Sequence, residues 1–289
     1  MQQYISSPKR TSEILGRYGI RLKKSLGQNY MVDTNSIKKM VSAAGIKKGE
    51  TILEIGSGIG SLTELILEQG AGKAVCIEID QKVAEAFREI FSRELGQGRV
   101  DLVAMDAMDI DYGDLCARYG ITKMVSNLPY KVVAPLILKL LQEAPGLEKC
   151  CVTIQKDIAD RMLAGRGDKN YSSYTLKSNL LAEYSSCFKV SRNCFIPKPF
   201  VDSVVLEVRR KSLPEGFSKQ DVQDFFHLVN SSFLHRRKKL LNSLALDAGY
   251  SGKLDRIKDL LQDLGRDPGL RAEDLTLEDF SYISKNIGK

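Results

Sequence analysis

A repeating change of period constrains this chain more than any single residue. From residue 51, short apolar runs alternate with amphipathic stretches. TILEIG, KAVCIEID, RVDLVAMD, TKMVSN and KCCVTIQ read as strands, and SLTELILEQG, QKVAEAFREIFSREL and VVAPLILKLLQEA read as helices between them. Buried strands alternating with helices predict a mostly parallel sheet covered on both faces, an α/β fold. Ser61 and Glu64 are spaced for a capping box at the start of the first of these helices. Later, YSSCFKVS and DSVVLEVRR read as two more strands whose link is too short for a helix, which predicts an antiparallel hairpin at the sheet edge. After RRKSLPEGFSKQD only helical patterns remain, and in the one spanning 222–244 Phe225, Val229 and Phe233 form an apolar stripe suited to a core. The expected organisation is a basic arm over 1–30, an α/β domain over 31–212 and a small all-α domain over 213–289.

The totals exclude several classes. A chain of 289 residues, 43% apolar and 27% charged, can build a full core. It has no apolar run near the ~18 residues that cross a bilayer. The start has no apolar signal region, and Glu13 interrupts the basic, Ser-containing pattern of a transit peptide, so a cytoplasmic protein is expected. Six cysteines without a C-x-x-C pair read as buried thiols in a reducing compartment. Two histidines are too few for a zinc site or a Ser-His-Asp triad, so no metal is expected.

Charge is segregated. Residues 1–50 carry ten Lys/Arg against Glu13, Asp33 and Glu50, which is the whole net charge of +7, and the rest of the chain balances. One dense cluster, Arg236 to Lys239, stands inside the otherwise neutral C-terminal part. Segregated positive charge suits a polyanion, although a solvated basic face reads the same way.

EIGSGIGS follows the first strand and opens a helix, placing Gly56, Gly58 and Gly60 where a ligand meets the carboxyl end of a sheet. Ser61 breaks the dinucleotide fingerprint, and no G-K-[ST] ending makes a phosphate loop. What remains, an acid before G-x-G-x-G, suits an adenosyl ligand with no phosphate to cradle. Glu78, about 20 residues further on at the end of the second strand, can accept ribose hydroxyls. Asp106, at the end of the third, can accept from an adenine amine.

The fourth strand ends in SNLPY. An Asn127 oxygen and a backbone carbonyl there can accept both hydrogens of an aromatic amine. The amine lone pair is delocalised into its ring, so gripping both N–H bonds turns it toward an electrophile. Pro129 stiffens the loop and Tyr130 offers a face to a flipped-out base. Positioning and electrostatics would carry the catalysis.

EIGSGIGSLT, EID, DAM and NLPY in this order resemble class I S-adenosylmethionine-dependent adenine N6-methyltransferases, which have a Rossmann-like sheet. KKSLGQNYMVD, FIPKPFVDSVV and FFHLVNSSFLHRRKKLLNSL narrow the resemblance to the ribosomal RNA adenine dimethyltransferase family, over nearly the whole chain from about residue 12. That resemblance implies S-adenosylmethionine held by Gly56, Gly58, Glu78, Ile79, Asp106, Ala107 and Asn127, with Gln28, Asn29 and Met31 closing over its methionine end. It implies a target adenine gripped by Asn127, the Leu128 carbonyl, Pro129 and Tyr130, with Phe195 packing on the base from the other side. A core phenylalanine is an equal reading of Phe195. The implied reaction forms N6,N6-dimethyladenosine at two adjacent adenosines near the 3′ end of small-subunit rRNA, on free RNA or an immature small subunit, by a monomer. Arg10, Arg17, Arg21, Lys23, Lys24, Arg236, Arg237, Lys238 and Lys239 would bind RNA phosphates.

Three positions depart from the family pattern: Ser57 in the glycine loop, Met105 before Asp106, and Tyr171-Ser172. The rival readings are an Erm-type methyltransferase acting on large-subunit rRNA and an assembly or transcription factor that keeps the fold without catalysis. A nicotinamide enzyme is more remote, because of Ser61.

Overall fold

The structure is a computed structural model that describes residues 3–23 and 26–288. Lys24, one of the phosphate-binding candidates, lies outside the described residues. The chain divides into two compact units: Met1–Ala159 with Glu183–Arg210, and Asp160–Ala182 with Lys211–Lys289.

Among the described residues the strands are β1 (Tyr30–Met31), β2 (Thr51–Ile55), β3 (Lys73–Ile77), β4 (Val100–Val103), β5 (Lys123–Asn127), β6 (Lys149–Gln155), β7 (Ala182–Val190), β8 (Phe195–Ile196) and β9 (Ser203–Arg210), all in the first unit save the first residue of β7. Seven form one sheet in the order β4-β3-β2-β5-β6-β9-β7. The pairings from β4 through β6 are parallel, and β9 runs antiparallel to β6. β2 and β3 are buried at all but their first residue, as strands covered on both faces must be. The two late strands lie together at the edge as expected, but their link is not a simple turn. It holds a short 3-10 turn and β8, which pairs antiparallel with β1 (Met31 opposite Phe195).

The chain moves outward from β2 to β3 and β4, then crosses to β5 on the other side of β2. This reversal is the topological switch point, where an open α/β sheet leaves a crevice beyond its carboxyl ends. The crevice is widened here. Past Leu53 and Met124 the Ser126 hydroxyl, fully buried, accepts from Ile55 N–H (2.8 Å) and donates to Ile55 C=O (2.5 Å). A side chain thus replaces the ladder, so the strands part without leaving polar groups unmet.

Several expectations are corrected. Ser61 and Glu64 form no capping box: the helix Ser61–Glu68 is capped by Gly60, and the Glu64 carboxylate instead accepts from Ile5 N–H at 2.9 Å. That bond helps fix the N-terminal segment. Its helix Pro8–Arg17 buries Ile14 and Leu15 in the core that also takes Ile5 and Ile20, so this part of the basic arm is packed on the domain. The helix expected over 81–95 breaks at Phe91, whose ring stacks on Phe87 with centroids 4.6 Å apart. Cys187 is exposed and Cys194 half-buried, so only four of the six free thiols are buried.

In the second unit the pattern over 222–244 is two helices, Lys219–Phe233 and Leu240–Leu244. Tertiary contacts override the local period between them: Leu240 N–H bonds to Leu270 C=O, and Arg236 is drawn to Glu273 (2.9 Å) and to the Lys169 carbonyl (2.7 Å). Phe225 and Val229 are fully buried, and Phe233 packs edge-on to Tyr171. Residues 160–182, read from sequence as part of the α/β domain, belong to this unit. Tyr171 is buried with its hydroxyl on the Leu275 carbonyl (2.9 Å), and Ser172 caps the helix Ser173–Leu181.

Candidate active site

A cavity of roughly 250 Å³ opens at the switch point. Its walls include the loop after β2 (Gly56, Ser57, Gly58), the ends of β3 and β4 (Glu78, Ile79, Asp106, Ala107), the end of β5 (Asn127, Leu128, Pro129) and the segment Gln28 to Met31. Every residue expected to meet the cofactor is therefore on one surface. Tyr130 and Phe195 are not on it.

Steric demands explain the glycines. At Gly58, φ is +57° and a Cβ would lie 2.5 Å from the Tyr30 ring; at Gly56, φ is +72° and a Cβ would press on the Pro129 ring at 3.1 Å. The glycine loop thus packs against both the Gln28–Met31 segment and the NLPY loop, and no larger residue fits.

Glu78 is nearly fully buried. One oxygen accepts from Gly58 N–H and the other from Asp80 N–H, both at 2.9 Å, which locks the glycine loop to β3. A carboxylate has about four acceptor sites, so capacity remains for ligand hydroxyls. Burial raises its pKa, against the two backbone donors that favour the charge. Asp106 spends one oxygen on Met108 N–H (2.8 Å), which shapes the turn beneath the cavity wall. Met105, the departure beside it, is exposed and lines the wall.

Lys23, expected on RNA phosphates, has its ammonium on Asp80 at 2.9 Å, and Gln28 bridges the same pair by accepting from Lys23 N–H and donating to Asp80. Burial raises the Asp80 pKa, but Lys23 and Gln28 outweigh it and hold the carboxyl below its ordinary range. Arg21 is exposed.

Asn127 turns an unmet acceptor toward the cavity it lines. Its amide nitrogen donates to the Asn29 carbonyl at 2.9 Å, and because that carbonyl only accepts, the side-chain oxygen must face the other way. That oxygen is buried and without a partner. An unmet buried acceptor costs about 1–3 kcal/mol, a cost a donor from a ligand would remove. Beside it, the Tyr130 hydroxyl pairs with Ser203 Oγ at 2.6 Å, and its ring meets the buried Phe195 ring edge-on, centroids 6.5 Å apart. Phe195 is thus both core and neighbour of Tyr130, and a base laid on Tyr130 must share that edge.

Two residues were not foreseen. Ser126 opens the crevice, and its hydroxyl role is invisible in a run read simply as strand. Tyr30 lines the cavity with a buried, unpartnered hydroxyl; burial first, then Glu78 and Asp80, push its pKa far up and keep it protonated. In the second unit Arg236, Arg237, Lys238 and Lys239 are all exposed, and Arg236 also pairs with Glu273.

Comparison with known proteins places the chain in a family. Residues 19–263 match the family model described as ribosomal RNA adenine dimethylase. A relative from Geobacillus thermodenitrificans, ribosomal RNA small subunit methyltransferase A, is 38% identical over 293 aligned positions, 99% of this chain and 98% of its own length. A dimethyladenosine transferase from Plasmodium falciparum superposes with a TM-score of 0.71 at 26% identity, covering 87% of this chain and 94% of that one. The 23S rRNA methyltransferase ErmE shares the fold with a TM-score of 0.64 at 22% identity, over 89% and 98% of the two chains.

Proposed function

The chain belongs to the ribosomal RNA adenine dimethylase family, and from that premise we propose that it carries two methyl groups to N6 of each of two adjacent adenosines near the 3′ end of small-subunit rRNA. It is an rRNA adenine methyltransferase with S-adenosylmethionine as cofactor. The dimethylated product, an immature small subunit as substrate, action as a monomer and a cytoplasmic setting are the finer parts of the proposal. Among the described residues no helix is long and apolar enough to cross a membrane.

The observation that carries the reading is the buried, unpartnered Asn127 oxygen on the cavity wall. The residues present fit the cofactor: glycines leave a surface free of side chains, Glu78 and Asp106 offer acceptors for hydroxyls and an adenine amine, and none needs to move a proton. When bound, the cofactor supplies an electrophilic methyl group on a sulfonium sulfur. The chain holds and orients the amine. Asn127 Oδ1 and the Leu128 carbonyl accept its two hydrogens, drawing the lone pair out of conjugation. Pro129, wedged against Gly56, ties that grip to the cofactor loop. Tyr130 bears one face of the base, with its ring steadied by Ser203 and Phe195. The alkylated amine is strongly acidic and releases its proton without a dedicated base, so positioning is the main contribution.

Labelled methyl transfer to undermethylated small subunits tests this against large-subunit RNA. Label confined to large-subunit RNA would move the substrate to the Erm-type alternative, and RNA binding without label would favour an assembly factor. Asn127→Ala should lower transfer on the order of 10²–10³-fold, as loss of one transition-state partner does, with cofactor affinity within about threefold. A parallel collapse of cofactor binding would show that Asn127 serves the cofactor instead.

A further inference from the structure

The loop between β8 and β9 carries the most exposed large apolar side chain among the described residues. Phe200 is 94% exposed, against 66% for the next, Leu234. Isolated exposed apolar residues are common, but a phenyl ring left almost wholly in water offers a large apolar face to a partner. This loop is tethered at both ends to one residue. Phe195, at its start, packs on the Tyr130 ring, and Ser203, at its end, pairs with the Tyr130 hydroxyl. Pro197 and Pro199 restrict it further, and Pro199 is buried. Arg192 closes it from outside, its backbone N–H on Asp202 (2.9 Å) and its guanidinium on the Phe200 carbonyl (3.3 Å). These ties hold the loop ends on Tyr130 and the Phe200 carbonyl on Arg192 while the Phe200 ring stays exposed.

Its setting selects the partner. Two exposed cations belong to this loop and its closure, Lys198 two positions before Phe200 and Arg192 on the Phe200 carbonyl, and the acid of the loop, Asp202, is engaged by the Arg192 amide. An aromatic face among cations is the surface that single-stranded nucleic acid takes, bases stacking on the ring and phosphates meeting the charges. A protein partner would need a wider apolar patch; Val201, at 38% exposure, is its only large apolar neighbour in the loop.

We propose that Phe200 is a stacking platform for an unpaired nucleotide flanking the target adenosine, holding the RNA in register while Tyr130 bears the flipped base. This rests on the RNA methyltransferase reading above. Phe200 touches no reacting atom; it is a positioning residue.

The test compares Phe200→Ala, Phe200→Leu and Phe200→Tyr for binding a small-subunit 3′-hairpin RNA, with 2-aminopurine placed at each unpaired position next to the target. Unfolding midpoints and cofactor affinity should match the unsubstituted protein, since the ring is exposed and off the cavity wall. Phe200→Ala should weaken RNA binding roughly tenfold, about 1.4 kcal/mol, within the range for one base–aromatic stack. It should raise KM with little change in kcat, and one 2-aminopurine position should lose its quenching. Phe200→Tyr should stay within about twofold, and Phe200→Leu should behave like Ala. The inference falls if Phe200→Ala binds as the unsubstituted protein does, or if Leu restores binding, which would indicate plain apolar contact. If the unsubstituted protein labels neither this hairpin nor undermethylated small subunits, the functional reading falls and takes this inference with it; if it labels subunits alone, the same variants are compared on subunits, with the same outcomes deciding. Normal methylation with an indifferent Phe200 would sink the inference alone.

Discussion

Glu54 should make this protein less stable as pH rises through neutrality. Its carboxyl is 2% exposed, at the end of β2 on the cavity wall, and no cation pairs with it among the described residues. The groups facing it are the Thr63 hydroxyl (2.6 Å) from the helix Ser61–Glu68 and the Cys76 thiol (3.8 Å) from β3, with the Glu78 carboxyl beyond. Burial dominates and lifts the pKa from 4.5 to about 8, against the two hydrogen bonds. The folded state therefore holds a proton that the unfolded chain has released between those values, and stability must fall as pH rises across that window. At about 1.4 kcal/mol per pH unit the loss approaches roughly 3–5 kcal/mol near pH 8, with solvent penetration reducing it. Glu54→Gln keeps the shape and an acceptor for Thr63 but cannot ionise. Urea unfolding of both proteins at pH 5.5, 7 and 8.5, extrapolated linearly, isolates Glu54 from the other carboxyls, including Glu64 and Glu78, whose pKa values burial also raises. The variant should gain on the parent as pH rises. Parallel curves would refute the reasoning and imply that a cation or water compensates the charge.

Two further outcomes follow from single side chains. Tyr30→Phe removes a buried hydroxyl without a partner while keeping the ring on Gly58, so stability without cofactor should rise by about 1 kcal/mol; an unchanged denaturation midpoint would mean the hydroxyl is satisfied. Arg237→Gln should weaken RNA binding and reduce the slope of log K against log salt by about 1, whereas Arg236→Gln, which starts from an ion pair with Glu273, should change the slope less; equal slopes for both variants would place the phosphate contacts elsewhere.

Much of the site was legible because it obeys local rules. Strands buried on both faces must be apolar throughout, so their ends were readable, and chemistry placed at strand ends falls on one crevice once the sheet is parallel. Gly56, Gly58, Glu78, Asp106 and Asn127 meet there for that reason. The charge cluster was equally legible, but not that Arg236 alone of its members pairs with Glu273. Lys23 was readable as a cation and not as the partner of Asp80, because an ion pair across 57 positions has no local signature.

By itself the sequence determined the central strands of the sheet, which acids and amide end them, and the chemistry those residue types can do, since each depends on period or on atoms a residue always carries. Tertiary structure alone decided what depends on distant segments meeting. Ser126 parts β2 from β5, Tyr30 packs on Gly58, residues 160–182 join the helical unit, and the loop bearing Phe200 is tied at both ends to Tyr130. Those contacts join residues far apart in the chain, where burial and steric fit override what any short window of residues would prefer.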